Sequence, residues 1–331
     1  MVRLALAVAA AAAIILSAPV VQQAFTALNR VFPSIGLAAT AAPIAVAVLI
    51  AVARIHHQRR LRFAALALSL AIGGAYVAFD ALTPTESFHF VEYGVLALLF
   101  YLAVHPAVDG SLLILPLLAG IATGALDEWF QWFVPIRAGE LRDIVLDAVA
   151  SVCGVLFAVS VRPPPRSTLE LAAGSRRRVW ACAAATLALV GAFAFTVHVA
   201  HEVRDPDIGT FVSRYSAAQL AAFATDRADR WRTSPPTTVR RFSREDQYLS
   251  EGLWHVQRRN EAWEKGDLSA AWRENLILEK YFVPVLDART YASETPQRWP
   301  AEQRAEAASR PAVDRRPSAS DDYRWPVYVL R

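Results

Sequence analysis

Residues 1–199 contain no lysine, and the whole chain has only two cysteines, Cys153 and Cys182. Both cysteines lie inside apolar runs, and neither a CxxC pair nor a histidine–cysteine zinc spacing is present. These absences argue against a disulfide framework or a zinc module, and no cofactor is indicated. The HExxH and GxSxG motifs are also missing, so the sequence carries neither the zinc-protease nor the serine-hydrolase signature.

The chain is rich instead in hydrophobic residues, which make up 55% of it. Long runs of Ala, Val, Leu and Ile fill residues 1–199, whereas residues 200–331 are dense in Arg, Asp and Glu. This contrast predicts a membrane region followed by an aqueous domain. The formal net charge is +4, but the Arg residues of the first region cluster in short loops, which is typical of membrane topology. We therefore expect membrane lipids, and no nucleic acid, as partners.

Seven apolar runs have the length of about 17–25 residues that a membrane-spanning helix requires. They cover residues 3–21, 35–53, 61–80, 88–106, 111–133, 143–161 and 179–199. The predicted fold class is all-α, a polytopic transmembrane helical bundle of about seven spans followed by a small α-rich domain. The first run has a second interpretation as a signal peptide, because LSAPVVQQA offers small residues for cleavage.

The runs divide the chain into five regions. These are N-terminal transmembrane helices (1–80), a transmembrane core (81–162), a basic loop (163–178), the last transmembrane helix (179–199) and the aqueous domain (200–331).

Orientation follows from two basic loops, RIHHQRRLR (54–62) and VRPPPRSTLELAAGSRRR (161–178). Arg-rich loops are retained in the cytoplasm, so both loops are predicted to lie there. Seven spans with a cytoplasmic N-terminus satisfy both loops. The same arrangement places residues 200–331 on the extracytoplasmic side.

The stretch ALDEWFQWFVPIR (125–137) places Asp127, Glu128 and Gln131 at the end of the fifth span. Ionisable groups there are costly to bury, so a specific role is expected. Residues three or four apart share a helix face, which brings these three together. Further polar residues fall on the same, outer side of the predicted membrane: His89, Glu92 and Tyr93 in the fourth span, Arg137 in the next outer loop, and Asp143 and Asp147 in the sixth span.

The segments FHFVEYGVLALLF, DEWFQWFVPIR and RDIVLDAVASVCG together resemble the VanZ-like family of bacterial integral membrane proteins. The resemblance covers about residues 83–160. The matching residues are His89 and Tyr93, Glu128 and Gln131, Pro135 and Arg137, and Asp143. Asp147 and Ala150 depart from the family pattern, which has Asn and Gly there. The family is named for a protein associated with teicoplanin resistance, so the resemblance implies a cell-envelope role in the bacterial inner membrane but no reaction.

Three interpretations of the polar residues remain open. They are structural if Glu128 or Asp143 only pairs with Arg137. They form a binding site if Arg137 and its neighbours hold a lipid head group, a lipid-linked precursor or a glycopeptide-type antibiotic. They are catalytic if Glu128 acts as a base with His89 or Asp143 in a membrane hydrolase or transferase. Binding is the functional hypothesis that we favour over catalysis, with a ligand set of Arg137, Gln131, Glu92, Tyr93, Asp127 and Asp147. No metal is expected, since His89 is the one plausible nitrogen ligand.

Residues 243–288 of the aqueous domain predict a helical hairpin. Gly266 is expected to end the first helix and Asp267 to cap the second. The segment EAWEKGDLSAAWRENLILE resembles a single tetratricopeptide-type unit, but one copy does not build a solenoid.

Five polar residues of this hairpin are predicted to lie on an ordinary solvated helix face or, as a less favoured alternative, to line a surface site. They are His255, Arg258, Arg259, Asn260 and Asn275. Residues near 300–322 are poor in bulky apolar side chains and are predicted to be a flexible tail. The expected partner of this domain is an envelope ligand or another protein, and its identity stays open.

Overall fold

A computed structural model describes residues 2–31, 35–80, 84–104, 109–133, 139–164, 170–238, 244–311 and 327–328. Contacts divide the chain into two compact units. The first comprises Met1–Trp132 and Gly139–Phe193, and the second comprises Ala194–Arg331 together with the short segment Phe133–Ala138. The described residues are mostly helical, in agreement with the predicted all-α class.

Seven helices account for most of the described residues before the second unit. They are α1 (Val2–Val31), α2 (Ile35–Ala53), α3 (Arg59–Asp80), α4 (Pro84–Val104), α5 (Ser111–Phe133), α6 (Leu141–Val161) and α7 (Ala173–Val197). Within the described residues, α3 to α7 contain stretches long and apolar enough to cross a membrane, whereas α1 and α2 contain shorter apolar stretches, Val2–Ala18 and Ala41–Ala53. A multi-pass membrane protein is therefore confirmed, and the number seven stays a prediction.

Helix α6 lies at the centre of the first unit, where it packs against both α3 and α4. Gly154 of α6 meets Gly94 of α4 so closely that a β-carbon at Gly154 would overlap the Gly94 carbonyl oxygen. Small residues at such a crossing allow two membrane helices to approach by their backbones. On the other side, Ser69 of α3 donates a hydrogen bond to the Cys153 carbonyl, at 2.9 Å.

The two basic segments lie at the same end of this unit. Arg62, at the start of α3, donates to the carbonyl oxygens of Ser160 (2.6 Å) and Val161 (3.0 Å). These are the last carbonyls of α6, which have no partner within the helix and attract a positive charge. The second basic segment is shorter than predicted, because α7 already begins at Ala173 and includes three arginines of the expected loop.

The second unit combines a small sheet with five helices in the described residues. The elements are β1 (Val199–Asp205), β2 (Gly209–Ser213), α8 (Ala217–Thr233), α9 (Arg244–Glu264), α10 (Leu268–Tyr281), α11 (Val283–Asp287), α12 (Ala301–Ala308) and β3 (Val327–Tyr328). Strand β1 pairs antiparallel with β2 and parallel with β3. The turn of the β1–β2 hairpin uses Asp205, whose carboxylate accepts the Asp207 and Ile208 N–H groups, and Gly209, at φ 85°.

The predicted helical hairpin of residues 243–288 is confirmed as α9 and α10. Gly266 adopts φ +74° in the turn, a conformation that favours glycine. Asp267 caps α10 by accepting a hydrogen bond from the Ala270 N–H, at 3.1 Å. Between these helices and the sheet lies an aromatic core that includes Phe211, Tyr248 and Phe282, all fully buried.

Two predictions for this unit are wrong. His255, Arg259 and Asn275 do not face solvent, because α9 packs against α10 and against the segment before α12 at these positions. His255 bonds Glu274 of α10 at 2.6 Å, and Arg259 donates to Asn275 at 3.3 Å and to the Gln297 carbonyl at 2.8 Å.

The second correction concerns the predicted flexible tail of residues 300–322. Its first part is helix α12, which contacts α10. Arg304 of α12 binds Glu279 of α10 in a bidentate pair, at 2.6 and 2.8 Å, and lies 5.1 Å from the centre of the Trp272 ring. The composition was poor in apolar residues, but charge pairing and Arg–aromatic packing hold the segment. Residues 312–322 lie outside the described residues.

Candidate functional site

Polar side chains from three helices meet at one end of the first unit, where α4 and α6 begin and α5 ends. We call this set the polar cluster: His89, Tyr93, Asp127, Glu128, Gln131 and Asp147. Five of its members retain at most 2% exposure, whereas the His89 side chain retains 19%. His89 is therefore the cluster member whose side chain is partly exposed at the surface of the unit.

Asp127 ties α5 to α4. Its Oδ2 atom accepts hydrogen bonds from the Tyr93 hydroxyl, at 3.2 Å, and from Gln131 Nε2, at 3.1 Å. Both donors are neutral groups, so they satisfy the oxygen without cancelling the charge of an ionised carboxylate.

Glu128 has a hydrogen-bond donor at each carboxylate oxygen. Gln131 Nε2 donates to Oε1 at 3.1 Å, and the backbone N–H of Glu140 donates to Oε2 at 2.8 Å. The residue before Glu140 is Gly139, where a β-carbon would lie 2.7 Å from the Glu128 carbonyl oxygen. Glu128 therefore holds the chain that leads into α6, and this close approach requires a glycine.

His89 lies between two carboxylates. Its Nδ1 atom is 3.7 Å from Asp147 Oδ1 on α6, and its Nε2 atom is 4.0 Å from Asp127 Oδ2 on α5. The imidazole also stacks on the Tyr93 ring, with 5.7 Å between centroids and 12° between planes. Both separations from oxygen exceed hydrogen-bond length, so the contacts are electrostatic.

Asp147 is the least satisfied member of the cluster. Its side chain is fully buried, and neither carboxylate oxygen has a hydrogen-bond partner among the described residues. The same holds for the hydroxyl of Ser151, one turn further along α6. The backbones of Gly124 and Gly120 on α5 lie against these two side chains. A buried polar group without a partner is costly, which is a reason to expect a further group here.

An ion pair joins the first turns of α4 and α6. Arg142 of α6 binds Glu86 of α4, and its Nη1 atom is 3.8 Å from Asp143 Oδ1. The Arg142 charge is thus shared between two acids. Glu86 could not be predicted as a site residue, because one acid in the polar first turn of a helix gives no distinctive sequence signal.

The structure brings together most of the residues predicted for the site. His89, Tyr93, Asp127, Glu128, Gln131 and Asp147 form the cluster, and Asp143 lies in the first turn of α6 beside Arg142. Glu92 is half-buried on α4, between His89 and Tyr93 in sequence. Arg137 and Pro135 lie outside the described residues. The described contacts of His89 are with Asp127 and Asp147. The catalytic hypothesis, in which Glu128 acts together with His89 or Asp143, stays a prediction.

Metal-ligand geometry is absent from the part of the chain that the structure describes, where no three His, Cys, Asp or Glu side chains could together hold an ion. What the cluster offers is an acidic, mostly buried set of oxygens with one partly exposed imidazole. Such a set can bind hydrogen-bond donors or positive charge.

Comparison with known proteins gives no match: no protein-family model, curated protein sequence or solved structure is similar to the chain. The resemblance to the VanZ-like family therefore rests on the sequence motifs alone and stays a prediction.

Proposed function

We propose that this chain is a VanZ-like multi-pass protein of the bacterial inner membrane that recognises an amphiphilic envelope ligand through its polar cluster. One observation carries the proposal, the convergence of cluster side chains from α4, α5 and α6 at one end of the first unit. A lipid head group, a lipid-linked precursor or a glycopeptide-type antibiotic is the class of ligand expected there.

Binding is favoured over catalysis by the contacts of Glu128. A general base must reach the proton that it removes. Glu128 is only 1% exposed, and its two oxygens hold the Gln131 amide and the Glu140 N–H. These contacts support a positioning role for Glu128, and a ligand would approach the cluster past the partly exposed His89.

The proposed orientation has a cytoplasmic N-terminus and an extracytoplasmic second unit, which puts the cluster at the outer interface. It is supported by Arg62, whose bonds to Ser160 and Val161 bring the two basic segments to one end. Alkaline phosphatase fused after Arg331 should be active, and a fluorescent protein that folds only in the cytoplasm should stay dark there. The opposite pair of results contradicts the orientation.

Ligand recognition is tested by native mass spectrometry of the full chain purified in a mild detergent. We expect a co-purifying amphiphile on the unaltered protein and its loss from the double variant Asp127→Asn, Asp147→Asn. Both changes keep side-chain shape and remove charge. Asp287→Asn is the matched control, because Asp287 pairs with Arg298 at an exposed position of the second unit.

Retention of the same amphiphile by the folded double variant contradicts the proposed function. So does an unaltered protein that carries no more amphiphile than an unrelated membrane protein purified in the same way.

A further inference from the structure

We infer that the polar cluster binds a primary ammonium group carried by a membrane-resident amphiphile, with Asp147 as its main acceptor. This inference rests on the proposed function and specifies the chemistry of its ligand. It follows from charge, from missing hydrogen-bond donors and from the depth of the cluster.

Charge is the first argument. The described cluster contains three carboxyl groups, on Asp127, Glu128 and Asp147, and one group that can become cationic, on His89. His89 lies near two of these carboxylates at once, at 3.7 and 4.0 Å. A single imidazolium cannot neutralise both, and buried unpaired charge is costly. Arg142, in the first turn of α6, is already bound to Glu86. The described side chains of the cluster would therefore repel a phosphate or carboxylate and attract one additional cation.

Hydrogen-bond donors are the second argument. Asp127 accepts from Tyr93 and Gln131, and Glu128 accepts from Gln131 and the Glu140 N–H. Asp147 is fully buried, and His89 Nδ1 faces its Oδ1 at 3.7 Å, beyond hydrogen-bond length, so neither oxygen has a donor at bonding distance among the described residues. A primary ammonium carries three N–H donors, so it can bond to Asp147 and retain donors for other oxygens. A quaternary ammonium has the same charge but no N–H group.

Depth is the third argument and points to a lipid rather than a solute. His89 lies three residues after Glu86, where the apolar stretch of α4 begins, and Asp127 lies six residues before the end of α5. At 1.5 Å per residue, His89 is about 5 Å from the start of the apolar stretch of α4, and Asp127 is about 9 Å from the end of α5. The cluster therefore lies only a few residues inside the apolar stretches, within reach of a head-group amine carried by a membrane lipid.

Thermal unfolding of the delipidated full chain in detergent tests the inference. The probes are dioctanoyl phosphatidylethanolamine, phosphatidylcholine and phosphatidylglycerol, which share their acyl chains and differ in the head group. Ethanolamine in solution is the fourth probe and separates a soluble amine from a lipid. We expect the primary-amine lipid to raise the unfolding midpoint, with an apparent affinity at least about tenfold above that of the choline lipid.

The variant Asp147→Asn should abolish this preference while the midpoint without lipid remains measurable. Asp127→Asn is the second variant in case the first does not fold, and it should weaken the preference. Asp287→Asn is the control and should keep it. If free ethanolamine binds as well as dioctanoyl phosphatidylethanolamine, the cluster recognises a primary ammonium group, but the inference that a lipid carries this group is overturned.

Two further results overturn the inference in distinguishable ways. Preference for the glycerol or choline lipid that depends on Asp147 overturns the ammonium assignment and leaves the proposed function standing. No head-group preference in the unaltered protein, together with no co-purifying amphiphile, overturns both and indicates that a proton rather than a ligand neutralises Asp147.

Discussion

The backbone of Gly124 on α5 lies directly against the side chain of Asp147 on α6. A β-carbon at Gly124 would be 3.0 Å from the β-carbon of Asp147 and closer still to its carboxylate. We therefore expect Gly124→Ala to force the two helices apart. Overpacking of this kind destabilises by about 1–3 kcal/mol, measured as a lower midpoint of thermal unfolding in detergent.

Gly74→Ala is the matched control for this prediction. Gly74 lies inside helix α3, where a β-carbon would meet no atom within 4 Å. Alanine is favoured over glycine inside a helix by up to about 1 kcal/mol, so this variant should be neutral or more stable. Equal effects of the two substitutions would contradict the close contact between α5 and α6.

Glu128→Gln should destabilise the first unit, because the amide has one acceptor oxygen in place of two. Glu128 accepts from Gln131 and from the Glu140 N–H, so one donor would face the new NH₂ group. A buried donor without an acceptor costs about 1–3 kcal/mol. Glu170→Gln, at an exposed position, should change the unfolding midpoint little. An unchanged midpoint for Glu128→Gln would show that Glu128 does not hold the start of α6.

Much of the site could be predicted from the sequence, because ionisable residues inside an apolar segment are costly to bury and therefore stand out. Asp127, Glu128 and Gln131 were expected together from helical spacing, and the structure links them through the Gln131 amide. The partner of Glu128 could not be predicted, since the donor is a backbone N–H of Glu140 that every residue type possesses. The position of His89 between Asp127 and Asp147 depends on helix packing, which spacing along one helix does not specify.

The fold was predictable where a periodic or apolar pattern is long. The apolar helices and the α9–α10 hairpin were expected, down to Gly266 and Asp267 in its turn. The strands were not, because β1 (Val199–Asp205) contains several charged residues and its partner β2 is only five residues long. Helix α12 was missed because its attachment comes from Arg304 contacts rather than from apolar side chains.

The β1–β2 hairpin should lose stability at acidic pH. Burial on its own would raise the pKa of Asp205, but hydrogen bonds from the Lys280 ammonium and the Tyr281 hydroxyl outweigh burial, so its pKa lies below the ordinary value. A carboxylate with a lowered pKa stabilises the fold above its unfolded-state pKa of about 4. That contribution is lost as the pH falls through the lower, folded-state pKa.

Tyr281→Phe tests this account. Removing a hydrogen bond to a charged group should cost about 1–3 kcal/mol near neutral pH, and the difference from the unaltered protein should shrink below about pH 4. Amide exchange of hairpin peptides in the full chain measures it. Tyr291→Phe is the control, since its hydroxyl contacts Ser250 at 3.5 Å rather than an acid. A Tyr281→Phe effect that does not vary with pH would contradict the role of Asp205.

Asp267→Ala should destabilise helix α10 by about 0.5–2 kcal/mol, because the first N–H groups of a helix have no partner within it. The Asp267 side chain satisfies one of them, on Ala270, at 3.1 Å. Its negative charge also lies at the positive end of the helix dipole.

Asp229→Ala is the control variant for this prediction. Asp229 is highly exposed near the end of α8 and forms a surface ion pair with Arg232 at 3.3 Å. Such surface pairs contribute little to stability. Amide exchange of α10 peptides in the full chain should accelerate for Asp267→Ala and stay unchanged for Asp229→Ala. Protection that is equal in both variants would mean that packing against α9, and not the cap, determines where α10 begins.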